Sequence, residues 1–99
     1  MKRFRNWEEA KNYSYPKESK SNYYCVKVND EKDLPTPQTT KRGEFGWRIC
    51  QPTNNECGVF IEVTPLWVTI TIQKKNITKK RDFALKGKTV QNILYEAFK

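Results

Sequence analysis

The sequence predicts an α+β fold: a mostly antiparallel five-stranded meander or small half-barrel, with a short N-terminal helix and a C-terminal helix packed on the sheet. Three observations lead there. Apolar residues alternate with period two in five successive segments between residues 23 and 86. Sustained helical spacing returns only in the last ten residues. A chain of 99 residues has material for one core and not two. Aromatic residues make up 13% of the chain, too many for a disordered polymer. Residues 1–99 are therefore read as a single domain. Residues 1–21 form an N-terminal helix and a polar linker, and residues 22–99 a β-rich core that ends in a helix at 89–99.

Residues 4–13, FRNWEEAKNY, suit a short helix. Asn6 can cap it, Glu8 and Glu9 fall in its first turn, and Phe4 and Trp7 stand three apart on one side. Pro16 and the serines that follow break the pattern. In 23–29 Tyr24, Val26 and Val28 share one face of a strand, with Tyr23, Cys25 and Lys27 on the other. From 30 to 43 the chain is polar and carries Pro35 and Pro37, which reads as a long loop.

A second strand is expected at 44–51, with Phe45, Trp47 and Ile49 on one face and Arg48 and Cys50 on the other. The third, at 58–64, turns Val59, Ile61 and Val63 inward and Phe60 and Glu62 outward. Pro65 and Leu66 make a tight connection to the strongest strand, 67–75. There Val68, Ile70 and Ile72 alternate with Trp67, Thr69, Thr71 and Gln73. A weaker fifth strand at 80–86 places Phe83 and Leu85 inside. Thr89 is an N-cap, although Asn92 stands where a capping box carries Glu or Gln. Val90, Ile93, Leu94, Ala97 and Phe98 then form one apolar stripe. So short a helix must bury that stripe to persist in water.

Missing residue types narrow the chemistry. The chain has no histidine, which removes Ser-His and Cys-His nucleophile pairs and His-bearing zinc sites. No Gly-rich phosphate loop and no paired-carboxylate spacing occurs. Asp30, Glu31 and Asp33 read as a solvated turn, since the remainder of a calcium loop is missing. No catalytic residue, metal site or cofactor is expected. The three cysteines are Cys25, Cys50 and Cys57. Their odd number, with no apolar N-terminal leader and no membrane-length apolar run, suggests thiols in a reducing cytoplasm. Cys50 and Cys57 flank a turn and could pair as a hairpin disulfide in an oxidising compartment.

Charge is the feature that suggests a function. Nineteen basic residues face eleven acidic ones, for a net charge of +8. Residues 1–28 carry +4, residues 29–73 carry −2, and residues 74–99 carry +6. Lys74, Lys75, Lys79, Lys80 and Arg81 crowd the turn of the last predicted hairpin, with Lys86 and Lys88 as a flank. A polyanion would relieve their mutual repulsion and release counterions. If Val68, Ile70 and Ile72 face the core, Trp67 faces away from it, as do Phe60 and Tyr23 on their own strands. Rings beside lysines on an open sheet suit stacking with single-stranded nucleic acid. The expected function is a small basic nucleic-acid-binding protein without catalytic activity. Its partner would be DNA or RNA, bound without sequence specificity.

Two other readings fit the same residues. One is a non-enzymatic interaction or inhibitory factor of a virus or mobile element, which binds an acidic protein surface through the hairpin or the 30–43 loop. The other is a histidine-free ribonuclease-type toxin using Arg48, Arg81, Glu62 and Tyr95. An edge of the sheet offers a homodimer contact. Outward Trp67 and Phe60 also admit a plainer role, packing under the N-terminal helix through Phe4 and Trp7.

Overall fold

The computed structural model of the chain describes residues 1–17, 19–38, 46–52 and 54–98. It has a six-stranded mixed sheet and two α-helices. The elements in chain order are β1 (Lys2–Phe4), α1 (Trp7–Asn12), β2 (Asn22–Val28), a 3-10 turn (Glu31–Asp33), β3 (Arg48–Cys50), β4 (Cys57–Val63), β5 (Trp67–Gln73), β6 (Thr78–Ala84) and α2 (Val90–Ala97). The strand order is β1-β2-β4-β5-β6-β3. The expected antiparallel meander holds only for β4, β5 and β6.

Two differences account for the sixth strand and the mixed sheet. Residues 2–4 form a strand parallel to β2, with Lys2 beside Tyr24 and Phe4 beside Val26. The cap itself gives the reason. Asn6 has extended backbone (φ −153°, ψ 173°) and its side chain accepts from the Glu9 N–H at 2.9 Å, so the helix begins at Trp7 and Phe4 lies before it. Phe4 alternates with exposed Arg3 and is buried. The second difference is β3. Only Arg48–Cys50 pairs, and it pairs with β6 at the far edge instead of with β4. The first residues of the strand expected at 44–51, Phe45 among them, lie outside the described residues. So does the end of the 30–43 loop. The described part of that loop is not wholly irregular, because Asp30 caps the 3-10 turn and Pro37 forms a β-bridge with Phe98.

Strand order also removes the hairpin disulfide. Cys50 on β3 and Cys57 on β4 have β6 and β5 between them, a separation of about 14 Å at ordinary strand spacing. A disulfide holds its Cα atoms within about 7 Å. All three thiols are free; Cys25 and Cys57 are buried and Cys50 is exposed.

The core lies on one face of the sheet. Tyr24, Val26, Val59, Ile61, Val63, Val68, Ile70, Ile72 and Phe83 meet Val90, Ile93, Leu94, Ala97 and Phe98 of the C-terminal segment. These are the positions the alternation and the helical stripe assign to the interior. Helix α1 joins the same side. Its Ala10 is fully buried, Trp7 packs edge-on against Phe98 at 4.6 Å, and the Gln91 amide donates to the Lys11 carbonyl.

Asn92 completes the capping box that the sequence left open. The Thr89 hydroxyl accepts from the Asn92 N–H (3.1 Å), and the Asn92 side-chain oxygen accepts from the Thr89 N–H (3.2 Å). Thr89→Ala is expected to cost about 1 kcal/mol, read as a shift of the urea midpoint at unchanged slope.

Beneath α1 sits a cluster of Phe4, Tyr13, Tyr15 and Tyr24 rings, 4.9–6.1 Å apart between centroids. The Tyr15 hydroxyl donates to the Ala10 carbonyl at 2.7 Å. Burial, with Tyr24 and Tyr13 close by, pushes the Tyr15 phenol well above its ordinary value. A raised folded-state pKa stabilises the fold below the unfolded value of about 10, and that contribution is lost as the pH rises beyond it. Denaturation midpoints should therefore decline above about pH 10, and less steeply in Tyr15→Phe.

Candidate nucleic-acid interface

The residues that alternate with the core strands emerge on the opposite face of the sheet. The register puts them in rows. Tyr23, Glu62, Thr69 and Asp82 lie side by side across β2, β4, β5 and β6. The next row holds Arg3, Cys25, Phe60, Thr71, Lys80 and Arg48. Beyond it come Lys27, Gly58, Gln73, Thr78 and Cys50, and at the other end Trp67 stands beside Ala84. Both helices pack on the core side, so neither α1 nor α2 covers these rows. Phe4 and Trp7 do not pack under Trp67 and Phe60; Phe4 stacks on Tyr24 and Trp7 meets Phe98.

Tyr23 is 50% exposed, Trp67 is 45% exposed and Phe60 is half-buried. From strand spacing and rise, Tyr23 and Phe60 are about 8 Å apart at Cα, and Tyr23 and Trp67 about 12 Å. Trp67 is held by a turn built on Thr64, whose hydroxyl accepts from the Leu66 and Trp67 N–H groups at 3.2 and 3.0 Å. The β4–β2 contact behind Phe60 is close at Gly58, where an added Cβ would sit 2.5 Å from the Val26 carbonyl oxygen. Gly58 lets these two strands approach and keeps this end of the face flat.

Four cations and the carboxylates of Glu62 and Asp82 share the face, and Glu56 lies at its margin beside Lys27. Lys27 pairs with Glu56 at 3.1 Å, and Arg48 pairs with Asp82 at 3.0 Å. Both oxygens of Asp82 are engaged, the second accepting from the Thr69 hydroxyl at 2.6 Å. Tyr23 donates to Glu62 at 3.2 Å, and that carboxylate raises the Tyr23 phenol above its ordinary value. Arg3 and Lys80 carry no ion pair among the described residues.

The lysines expected in one ribbon divide. Lys74 and Lys75 occupy the β5–β6 turn, closed by the Lys74 N–H donating to the Ile77 carbonyl. Trp67 begins β5, seven residues before Lys74 and therefore roughly 23 Å along the strand. The turn does not project alone, since the Lys75 N–H donates to the Glu31 carboxylate at 2.9 Å and ties the acidic 30–33 turn to it. Strand alternation then separates the remainder. Lys80 shares the aromatic face, whereas Lys79 and Arg81 are on the core face, in register with Ile72 and Ile70. Arg81 is buried, its guanidinium 4.3 Å from the Phe83 ring centre, and its Nε has no partner among the described residues. Arg81 is thus packed in the fold rather than presented with Lys80. Lys86 and Lys88 lie near the Trp67 end, in the turn between β6 and α2, and Lys88 pairs with Glu96 at 2.9 Å.

Arg3 and Arg48 were missed as members of the aromatic face. Arg48 needed the β3–β6 pairing, and Arg3 needed β1. Lys27 was legible, because it alternates with Tyr23 and Cys25. The residues considered for a ribonuclease do not converge: Tyr95 is exposed on α2, Arg81 is on the core face, and Glu62 and Arg48 are three strands apart. Among the described residues no group of His, Cys, Asp or Glu is placed to hold a metal ion, and no helix is long and apolar enough to cross a membrane. No protein-family model matches the chain, and no curated protein or solved structure shows significant similarity to it.

Proposed function

We propose that the chain is a non-catalytic module that binds single-stranded nucleic acid on the face of the sheet opposite the helices. The observation that carries this reading is the grouping of Tyr23, Phe60 and Trp67, from three adjacent strands, on a face that neither helix covers. Bases stack on such rings with energies of about 1–3 kcal/mol each, largely regardless of sequence. Lys80 and Arg3 supply unpaired cations within the face, and Lys74 and Lys75 extend it at the hairpin turn. Flat strands carrying rings favour an unpaired strand over a duplex groove, which would need a projecting ribbon. Arg81 leaves the contact set, and Lys79 has no place on the stacking surface.

Fluorescence anisotropy with a labelled single-stranded oligonucleotide tests the reading. Binding should be micromolar at low salt and weaken steeply with added salt. Reversal of Lys74, Lys75 and Lys80 to Glu should weaken it more than tenfold and flatten the log–log salt slope by about 2, at roughly 0.7 for each phosphate contact on a single strand. Affinity indifferent to salt and to these reversals would overturn the proposal. A protein partner that survives nuclease treatment in a pull-down would favour the interaction-factor reading instead.

A further inference from the structure

A second feature lies at the Trp67 end of the sheet but off the aromatic face. A cleft of 750 Å³ opens between the segment at Tyr15–Lys17, the β4–β5 turn and the β6–α2 turn. Its walls are chiefly apolar, with Val63, Leu66, Leu85 and Val90 contributing. Leu66 is 70% exposed, a large apolar side chain with no protein neighbour sufficient to cover it. The rim is cationic. Lys17, Lys86 and Lys88 line the cleft, and among the described residues no carboxylate does. Lys88 is partly neutralised by Glu96, while Lys17 and Lys86 have no ion pair among the described residues. Thr89 and Val90 bring the start of α2 to the same wall; the capping box takes the Thr89 and Asn92 N–H groups, while those of Val90 and Gln91 lack an intrahelical acceptor and the helix dipole favours an anion. Gly87 (φ 78°) and Lys86 (φ 24°) form the tight turn, closed by the Lys88 N–H donating to Leu85, that sets these cations beside the apolar wall.

We propose that this cleft is a binding site for a small amphipathic anion, free in solution. Its apolar body would rest on Leu66, Leu85 and Val63, and its carboxylate or similar head would lie between Lys86, Lys17 and the first turn of α2. The volume lies within the range of small-molecule sites, about 300–1,000 Å³. The pairing of an apolar wall with a rim whose charged residues, among those described, are all lysines selects against neutral and cationic amphiphiles. The site is separate from the proposed nucleic-acid face and does not depend on it.

Titration of the ¹⁵N-labelled chain with decanoate, below its micelle concentration, tests the site. Saturable shifts are expected at Leu66, Leu85, Lys86, Gly87 and Val90, with affinity at least tenfold above that for decanol and no saturation by decyltrimethylammonium. Lys17→Gln combined with Lys86→Gln should weaken decanoate at least tenfold while the remaining spectrum stays unchanged, since both side chains are exposed. Equal binding of the three amphiphiles, or shifts confined to other parts of the chain, would overturn the proposal. So would sedimentation with phosphatidylglycerol vesicles in the absence of saturable decanoate shifts, which would place the cleft against a lipid surface.

Discussion

Replacement of Tyr23 and Trp67 together by alanine is expected to weaken binding of a single-stranded oligonucleotide about thirtyfold or more. Each ring that stacks on a base is worth about 1–3 kcal/mol, and about 2 kcal/mol for the pair at the low end corresponds to that factor. Stability should change little, because neither ring belongs to the buried cluster between sheet and helices. The change in affinity should also leave the salt dependence intact, since no cation is removed. That combination separates stacking from charge. Loss of the salt slope along with affinity would mean that the double variant had damaged the fold, and thermal melting of the same sample would reveal it.

The second large effect falls on stability. Leu94→Ala is expected to cost about 2–5 kcal/mol, a large part of the roughly 5–15 kcal/mol that holds a domain of this kind folded. Leu94 is almost fully buried in the stripe of α2 that faces the sheet. A helix of eight residues persists only through such packing. Urea denaturation should show the midpoint falling sharply. A loss below about 1 kcal/mol, the size of a cap or surface effect, would mean that α2 is not the lid of the core.

Why local pattern was enough for some elements and not for others follows from the range of the interactions involved. β2, β4, β5 and β6 were legible because each places the hydrophobic residues of the core at alternate positions of a seven-residue strand, and period two leaves one choice of face for them. From that alternation came the outward orientation of Tyr23, Phe60 and Trp67. β1 and β3 have three residues each. At that length alternation cannot be told from chance, and partner choice is decided by contacts made far along the chain. β3 illustrates it. Alternation puts Ile49 on one face with Trp47, yet Ile49 is 69% exposed on an edge strand, while Trp47 packs on Phe83 and Phe98.

The basic cluster was legible as a count and not as a surface. Consecutive lysines in a strand alternate between faces, so Lys79, Lys80 and Arg81 cannot all reach one ligand. Arg81 goes further, since opposite Ile70 its long apolar stem is buried and its guanidinium lies on Phe83. The cleft beside Leu66 had no sequence signal, because its walls come from three segments that are not contiguous in the chain.

The three tryptophans provide the most direct test of the two-faced sheet. Trp7 and Trp47 pack toward Phe98 on the helix side, and of the three only Trp67 stands on the face opposite the helices. In a titration with single-stranded oligonucleotide followed by the indole N–H signals, Trp67 should shift progressively while Trp7 and Trp47 stay in place. Movement of Trp7 or Trp47 with Trp67 unaffected would contradict the account and put the ligand on the helical side.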